Sequence, residues 1–271
     1  MAETKTVAPK EAALVRFWDW LTETQIWKSI FRHGKPTNDR NRVVVMLSNV
    51  FLHLHPVRIR KSGVKLRYTW CMGGMSFFLF LVLTFTGLLL MFYYRPTLEY
   101  AYTDIVGLRE HVPLGIMREL HRWGAHAMVI TVWLHMFRVF MTGSYKPPRE
   151  FNWSIGVIML VLTLLLSFTG YLLPWDQLAI WAITVGSNMA RATPFLGSEG
   201  PGAALLALGD IKLVHAGSDA RFALLGGTFV GEGALLRFYV LHCVGLPLVI
   251  AFLMAVHFWR VRKDGGISGP V

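Results

Sequence analysis

Residues 116–140 read IMRELHRWGAHAMVITVWLHMFRVF, an apolar run that contains three histidines. A bilayer core of about 30 Å is crossed by about 20 apolar residues in a helix, and histidine inside such a segment usually has a function. His121 and His135 are 14 residues apart, so at about 100° per residue they share one helix face. The helical rise separates them by about 21 Å. This run predicts a membrane helix that presents two imidazoles at two depths.

Three further stretches are long and apolar enough to cross a bilayer: Tyr68–Tyr94, Phe151–Trp175 and Phe238–Trp259. Only 16% of the residues are charged, whereas soluble domains have about 25%. A shorter apolar stretch, residues 43–57, is predicted to lie at the membrane interface. Four spans with mostly short connections predict an all-α membrane protein with an up-down four-helix bundle.

The charges predict the orientation of the bundle. Residues 1–67 contain 13 Lys and Arg against 5 Asp and Glu, while the loop 174–237 contains 4 against 5. Because basic loops stay inside, we expect both termini in the cytoplasm. Residues 1–67 then form a cytoplasmic or interfacial arm, and residues 68–271 form the membrane domain, with surface helices in the loop 174–237. The net charge of +11 alternates with apolar runs, which favours membrane lipid and argues against nucleic acid as a partner.

The fourth predicted span carries a second pair of histidines. His242 and His257 are 15 residues apart, which gives about 60° of rotation and about 22 Å of rise. The second and fourth spans are antiparallel, so His121 and His242 share the outer level and His135 and His257 share the inner level. One imidazole from each of two helices at each level predicts two bis-histidine b haems, with these four histidines as iron ligands.

Other interpretations of the histidines remain open at this point. A lone histidine in a membrane is commonly a packing residue or a proton relay, and His126 has no matched partner, so a structural role is predicted for it. A di-haem b membrane anchor of a hydrogenase, formate dehydrogenase or nitrate reductase is one alternative. A histidine-lined proton transporter is another.

Small and basic residues follow the same spacing. Two pairs of glycines, each 14 residues apart, are predicted to form the haem clefts: Gly73 and Gly87, and Gly156 and Gly170. Haem propionates need cationic partners, and basic residues stand near both levels. They are Arg118 and Arg122 at the outer level and Arg138, Lys146 and Arg149 at the inner level.

Several motifs resemble cytochrome b of Rieske/cytochrome b complexes. They are Glu119–Gly124, Leu134–Phe140, Lys146–Glu150, Gly170–Asp176, Arg237–His242 and Val256–Lys263. The resemblance covers residues 68–271 and is greatest for the short, split, bf-type form, which ends after four helices. The N-terminal arm and the outer loop 188–233 are longer than in that form.

The resemblance implies further site residues. The run Tyr68-Thr-Trp-Cys71-Met-Gly-Gly is similar to a motif whose cysteine carries a covalently attached haem c near the inner b haem. Tyr171, Trp181, Ala182 and Val185 match positions that line the outer quinol pocket. Arg262 matches the arginine of the inner quinone site.

The implied function is that of the cytochrome b subunit of a quinol:electron-acceptor oxidoreductase. Quinol at the outer site would give one electron to a Rieske iron–sulfur protein, and the other would cross the membrane through the b haems to inner quinone, coupled to proton translocation. The implied partners are a separate C-terminal cytochrome b half (subunit IV-like), the Rieske protein and a c-type cytochrome subunit in a homodimeric complex. We expect a bacterial cytoplasmic membrane, with the thylakoid as the alternative.

Overall fold

A computed structural model describes residues 9–30, 37–48, 61, 65–208 and 211–265. The chain divides into two units, Met1–Arg58 and Ile59–Val271. The described helices of the first unit are α1 (Pro9–Glu23), α2 (Gln25–Ile30) and α3 (Asp39–Ser48). Trp18 and Trp27 join α1 to α2 in an edge-to-face contact with ring centroids 5.4 Å apart. Most of the apolar stretch 43–57 lies outside the described residues.

The second unit is almost entirely helical. Its helices are α4 (Leu66–Thr69), α5 (Met72–Met91), α6 (Ala101–Glu110), α7 (Val112–Met141), α8 (Glu150–Leu172), α9 (Gln177–Ala190), α10 (Ala220–Leu225), α11 (Glu232–Val240) and α12 (Leu246–Asp264). A π-helical segment, Leu241–Gly245, joins α11 to α12. A 3₁₀ turn at Ala203–Leu205 precedes one small antiparallel hairpin, β1 (Ala207–Leu208) with β2 (Ile211–Lys212).

Four helices in the described part of the chain are long and apolar enough to cross a membrane: α5, α7 from Pro113, α8, and the continuous run Glu232–Asp264. The prediction of four spans in a helical bundle is therefore confirmed. The fourth span begins at Glu232 rather than at Phe238. Arg237 does not end it, because its guanidinium folds back and donates a hydrogen bond to the Ala223 carbonyl at 2.5 Å.

The spans pack in two pairs, α5 with α7 and α8 with α12. Between α5 and α7, the buried Ser76 hydroxyl donates to Thr131 Oγ1 at 3.2 Å, and such hydrogen bonds hold membrane helices together. The outer end of α8 is covered by α9, α10 and α11, whose buried core includes Leu172, Ile183 and Leu225. The long outer loop therefore forms a packed cap over the bundle.

The π-helical segment interrupts the fourth span directly beside a histidine. The Leu246 N–H donates to the Leu241 carbonyl, five residues back, where an α-helix uses four. Pro247 follows, and since proline has no N–H it cannot bond the carbonyl of Cys243, four residues before it. The segment thus places one additional residue in the helix between His242 and His257.

Candidate functional site

The structure brings the four histidines together as two pairs between α7 and the fourth span. The ring centroids of His121 and His242 are 6.2 Å apart with the planes at 77°. Those of His135 and His257 are 6.4 Å apart with the planes at 82°. All four rings are substantially buried. Each pair has one imidazole from each helix, in the pairing that the sequence predicts.

The separation of the rings matches axial ligation of a metal. An imidazole nitrogen binds a metal at about 2.0 Å and the ring centroid lies about 1.1 Å farther, so two rings on opposite sides of one ion have centroids about 6.2 Å apart. Within the described ranges, no group of three or more His, Cys, Asp or Glu could hold a metal ion. Two protein ligands alone suit a metal that brings its other ligands with it, as haem iron does.

Threonines fix both outer histidines. The Thr86 hydroxyl donates to the Val82 carbonyl at 2.7 Å, so its oxygen accepts from His121 Nδ1 at 2.9 Å. This bond places the imidazole hydrogen on Nδ1 and leaves the Nε2 lone pair for a metal, as is usual for ligating histidines.

The second outer histidine repeats this arrangement. Thr169 donates to the Leu165 carbonyl at 2.8 Å and accepts from His242 Nδ1 at 3.2 Å. The Leu166 carbonyl also accepts from this nitrogen, at 3.1 Å. Sequence reasoning missed both threonines. A signal was present, because each stands directly before one of the predicted glycines, in the dipeptides Thr86-Gly87 and Thr169-Gly170.

The inner histidines have a different environment. His257 Nδ1 is buried and has no hydrogen-bond partner among the residues that the structure describes. His135 packs against Gly73, where an added Cβ would lie 3.2 Å from the ring Cε1. No threonine plays the part of Thr86 or Thr169 in the described surroundings of this pair. Packing and the opposite ring therefore position the inner imidazoles.

Three of the four predicted glycines lie against a histidine ring. A Cβ on Gly87 would stand 3.2 Å from His121 Cε1, and one on Gly170 would stand 2.5 Å from His242 Cε1. Gly73 makes the equivalent approach at the inner level. A Cβ on Gly156 would meet no atom within 4 Å. The small side chain at three positions thus makes room for the imidazole itself.

Cys71 lies at the end of α5 beside the inner pair. Trp70 and Cys71 both have left-handed backbones, with φ of 54° and 53°, a conformation that disfavours residues with a Cβ. The Cys71 side chain is exposed. A Cβ on Gly74 would lie 3.0 Å from its sulfur, so the adjacent glycines serve two neighbours. Gly73 accommodates the His135 ring, and Gly74 accommodates the Cys71 thiol.

The predicted propionate partners already have neighbours within the chain. Glu119 pairs with Arg118 at 2.6 Å and with Arg122 at 2.5 Å. The Arg138 guanidinium lies over the Trp70 ring, 5.2 Å from its centroid. Lys146 and Arg149 lie in the loop between α7 and α8, the first exposed and the second half-buried. Binding of propionates by these residues stays a prediction.

The predicted quinone-site residues lie at the two ends of the bundle. On α9, Trp181 and Val185 are 63% and 57% exposed, and Ala182 beside them is half-buried. Tyr171, near the end of α8, is also exposed. At the other end, Arg262 is half-buried in the last turn of α12. The outer residues therefore present an aromatic and apolar surface that is left open.

Polar contacts hold the outer loops to the bundle. The Arg95 guanidinium donates to both carboxylate oxygens of Asp104, at 2.6 and 3.0 Å, and this hydrogen bonding lowers the pKa of Asp104. The Tyr94 hydroxyl donates to the Leu173 carbonyl at 2.6 Å, and burial raises the pKa of this tyrosine. These contacts position α6 beside the outer end of α8.

Comparison with known proteins agrees with this geometry. Residues 58–200 match the family model described as Cytochrome b/b6/petB. Cytochrome b6 of Porphyra purpurea is 41% identical over 203 residues, which cover 74% of this chain and 85% of that protein. The menaquinol:cytochrome c reductase cytochrome b subunit of Bacillus subtilis is 34% identical over 263 residues, 95% of this chain and 100% of that protein.

A solved structure titled Hyperthermophilic respiratory Complex III is similar in fold. It has a TM-score of 0.62 and 25% identity, and the match covers 93% of this chain but 56% of the other. Sequence, fold and the paired histidines point to one conclusion. The chain belongs to the cytochrome b/b6 family.

Proposed function

We propose that this protein is the cytochrome b subunit of a quinol:electron-acceptor oxidoreductase and carries two b haems. The observation that supports this most strongly is the pair of histidine–histidine sites, with centroid separations of 6.2 and 6.4 Å, at two levels of the bundle. Membership of the cytochrome b/b6 family argues against the two alternatives, an anchor of a hydrogenase-type enzyme and a proton transporter.

In this proposal, His121 and His242 hold the outer b haem and His135 and His257 hold the inner one. Haem iron supplies one-electron redox chemistry, while the protein supplies position and electrostatics. The chain's own residues orient the ligands through Thr86 and Thr169. They also surround both levels with apolar helices that exclude water.

The outer quinol pocket is proposed to include Tyr171, Trp181, Ala182 and Val185. Their open surface provides one wall, and a separate C-terminal cytochrome b half would provide the other. The match to 56% of the Complex III chain supports this division. At the inner end, the guanidinium of Arg262 would hydrogen-bond a quinone oxygen. Proton release outside and uptake inside would couple the reaction to proton translocation.

The remaining partners follow from the same reasoning. We infer a Rieske iron–sulfur protein and a c-type cytochrome subunit, in a homodimeric complex. The relative from Bacillus subtilis is named as part of a menaquinol:cytochrome c reductase and aligns over 95% of this chain. This extensive match supports a bacterial cytoplasmic membrane rather than a thylakoid.

The b-haem assignment is tested with the complex purified from membranes. Replacing His135 with leucine removes one of the two inner ligands, so the reduced-minus-oxidised spectrum should lose the inner b haem and keep the outer one. A parallel His121→Leu variant should lose the outer haem instead. Both haems retained in either variant would contradict the assignment.

We also propose that Cys71 carries a covalent haem c. Its thiol would add across a vinyl group of the haem, forming the S–C bond and passing its hydrogen to the other vinyl carbon, so that no oxidant is needed. The exposed thiol, its left-handed backbone and its nearness to Gly73 support this site.

A thioether survives denaturation, whereas axially ligated b haem dissociates when the bundle unfolds. Haem staining after denaturing electrophoresis should therefore mark the 30.7 kDa chain and disappear in Cys71→Ala. Cys243→Ala serves as the matched control and should keep the stain. An unstained wild-type band would rule out the covalent haem and leave two b haems.

A further inference from the structure

One face of α7 points away from the histidine pairs and from α5. It is defined by five residues in alternating steps of three and four: Trp123, His126, Ile130, Trp133 and Phe137. Its four apolar members are each 55–61% exposed. A stripe with this 3.5-residue period is the pattern by which one helix seats against another. We call it the outward face of α7.

His126 distinguishes this face from an ordinary lipid-facing surface. It lies 13 residues after Pro113 and 15 before Met141, close to the middle of the span. Its Nδ1 is 2.8 Å from the Arg122 carbonyl. A carbonyl can only accept, so Nδ1 carries the hydrogen and Nε2 of the neutral ring is an acceptor.

The acceptor at Nε2 has no hydrogen-bond donor in the described part of the chain, and the ring is exposed. Acyl chains at the centre of a bilayer offer no donor either, and an unsatisfied polar group there is strongly unfavourable. Buried polar side chains of membrane helices commonly hydrogen-bond across to a neighbouring helix. The occupant of this face must therefore supply an O–H or N–H group at the depth of His126.

We propose that the outward face of α7 binds one transmembrane helix of another subunit, and that this helix donates a hydrogen bond to His126 Nε2. The proposal rests on the proposed function, since it requires a multi-subunit complex. A second copy of the chain has the wrong chemistry. A two-fold axis through this face would set His126 against itself and bring two acceptors together.

The first experiment identifies the occupant in the intact complex. A photo-crosslinking side chain replaces Ile130, which lies one turn from His126 on the same face, and the complex is irradiated in native membranes. Mass spectrometry should find a crosslink to a membrane-spanning peptide of a different subunit. Adducts to lipid, or to a second copy of this chain, would overturn the proposal.

The second experiment tests the hydrogen bond with matched variants. After a stringent detergent wash, His126→Leu should retain several-fold less of the crosslinked subunit than wild type, while His126→Gln, which keeps an acceptor, should retain a wild-type amount. Equal retention in the leucine variant would overturn the proposal. Both variants should keep two b haems in the spectrum. A wild-type complex without b haem would instead refute the proposed function and leave the crosslink result independent.

Discussion

The outer and inner histidine pairs have nearly the same ring separation but reach it by different means. At the outer level, Thr86 and Thr169 bind Nδ1 of both imidazoles. At the inner level, His257 Nδ1 is buried without a partner in the described residues. The comparison teaches that ring spacing alone does not determine how firmly a ligand is held. The outer imidazoles are oriented by hydrogen bonds, and the inner ones are oriented by packing.

The surroundings of the two levels differ in the same direction. The outer end of the bundle is covered by the packed cap of α9, α10 and α11, and Arg95 ties α6 to its neighbouring loop through Asp104. The inner end is bordered by the short loop between α7 and α8 and by the exposed Cys71. We therefore expect the outer site to be preorganised and the inner site to depend more on the group it binds.

The largest effect is expected from the glycine that makes the closest approach to a ligand. In Gly170→Ala, the new Cβ would lie 2.5 Å from the His242 ring, so the ring or the helix must move. The outer b haem should be lost while the inner one remains. Gly156→Ala is the matched control on the same helix, because its Cβ meets no atom within 4 Å.

The reduced-minus-oxidised spectrum of the purified complex measures both glycine variants. The structure predicts a clear difference between them. If the two alanines removed equal amounts of the outer haem, the close approach at Gly170 would not be the cause.

A smaller effect is expected from the threonines. Thr86→Val removes the acceptor for His121 Nδ1, and loss of such a supporting partner weakens metal-site affinity by about 10–100-fold. Thr169→Val should have less effect, because the Leu166 carbonyl still accepts from His242. Thr163→Val is the control, since that buried hydroxyl bonds only the helix carbonyl of Met159 among the described residues.

Haem content and redox titration of the outer b haem should rank these variants in that order, with the inner haem unchanged in all three. A loss in Thr163→Val equal to that in Thr86→Val would attribute the effect to helix packing. It would contradict a specific role for the histidine–threonine bond.

The smallest effect is expected at the outer surface. Arg95 lowers the pKa of Asp104, so the ion pair contributes stability above the unfolded pKa of about 3.9 and loses it as the pH falls through the lower folded value. Asp104→Asn should reduce the melting temperature of the complex slightly at pH 7 and remove this part of its acid sensitivity. Melting curves at neutral and acid pH, with both haems monitored, provide the measurement. A wild-type melting curve at pH 7 would show that the pair contributes nothing.

The sequence predicts much of this molecule because its strongest constraints are local. Uninterrupted apolar runs predict the four spans, and the spacing of histidines predicts their pairing across α7 and the fourth span. The sequence analysis did not predict α6, since Ala101–Glu110 is a short polar helix whose position depends on Tyr94 and Asp104. It did not identify Thr86 or Thr169 either. A threonine in an apolar helix usually bonds its own backbone, and its second bond depends on which helix faces it.

The glycines illustrate what spacing can and cannot determine. Their 14-residue period correctly places Gly73, Gly87 and Gly170 at the histidine levels, but the sequence cannot specify what each glycine touches. The structure puts these three against imidazoles and leaves Gly156 open. The difference arises from the rotation of each helix about its own axis, and that rotation is a tertiary property.

The π-helical segment has a consequence for how members of this family should be compared. His121 and His135 are separated by 14 residues and His242 and His257 by 15, and the segment Leu241–Gly245 absorbs the additional residue within one turn. A one-residue insertion here is thereby confined, so it changes the length of the chain without rotating the second ligand away. When a relative with 14-residue spacing is aligned, the gap belongs in this turn, before Pro247, and every residue from Leu246 to the end of α12 keeps its structural equivalent.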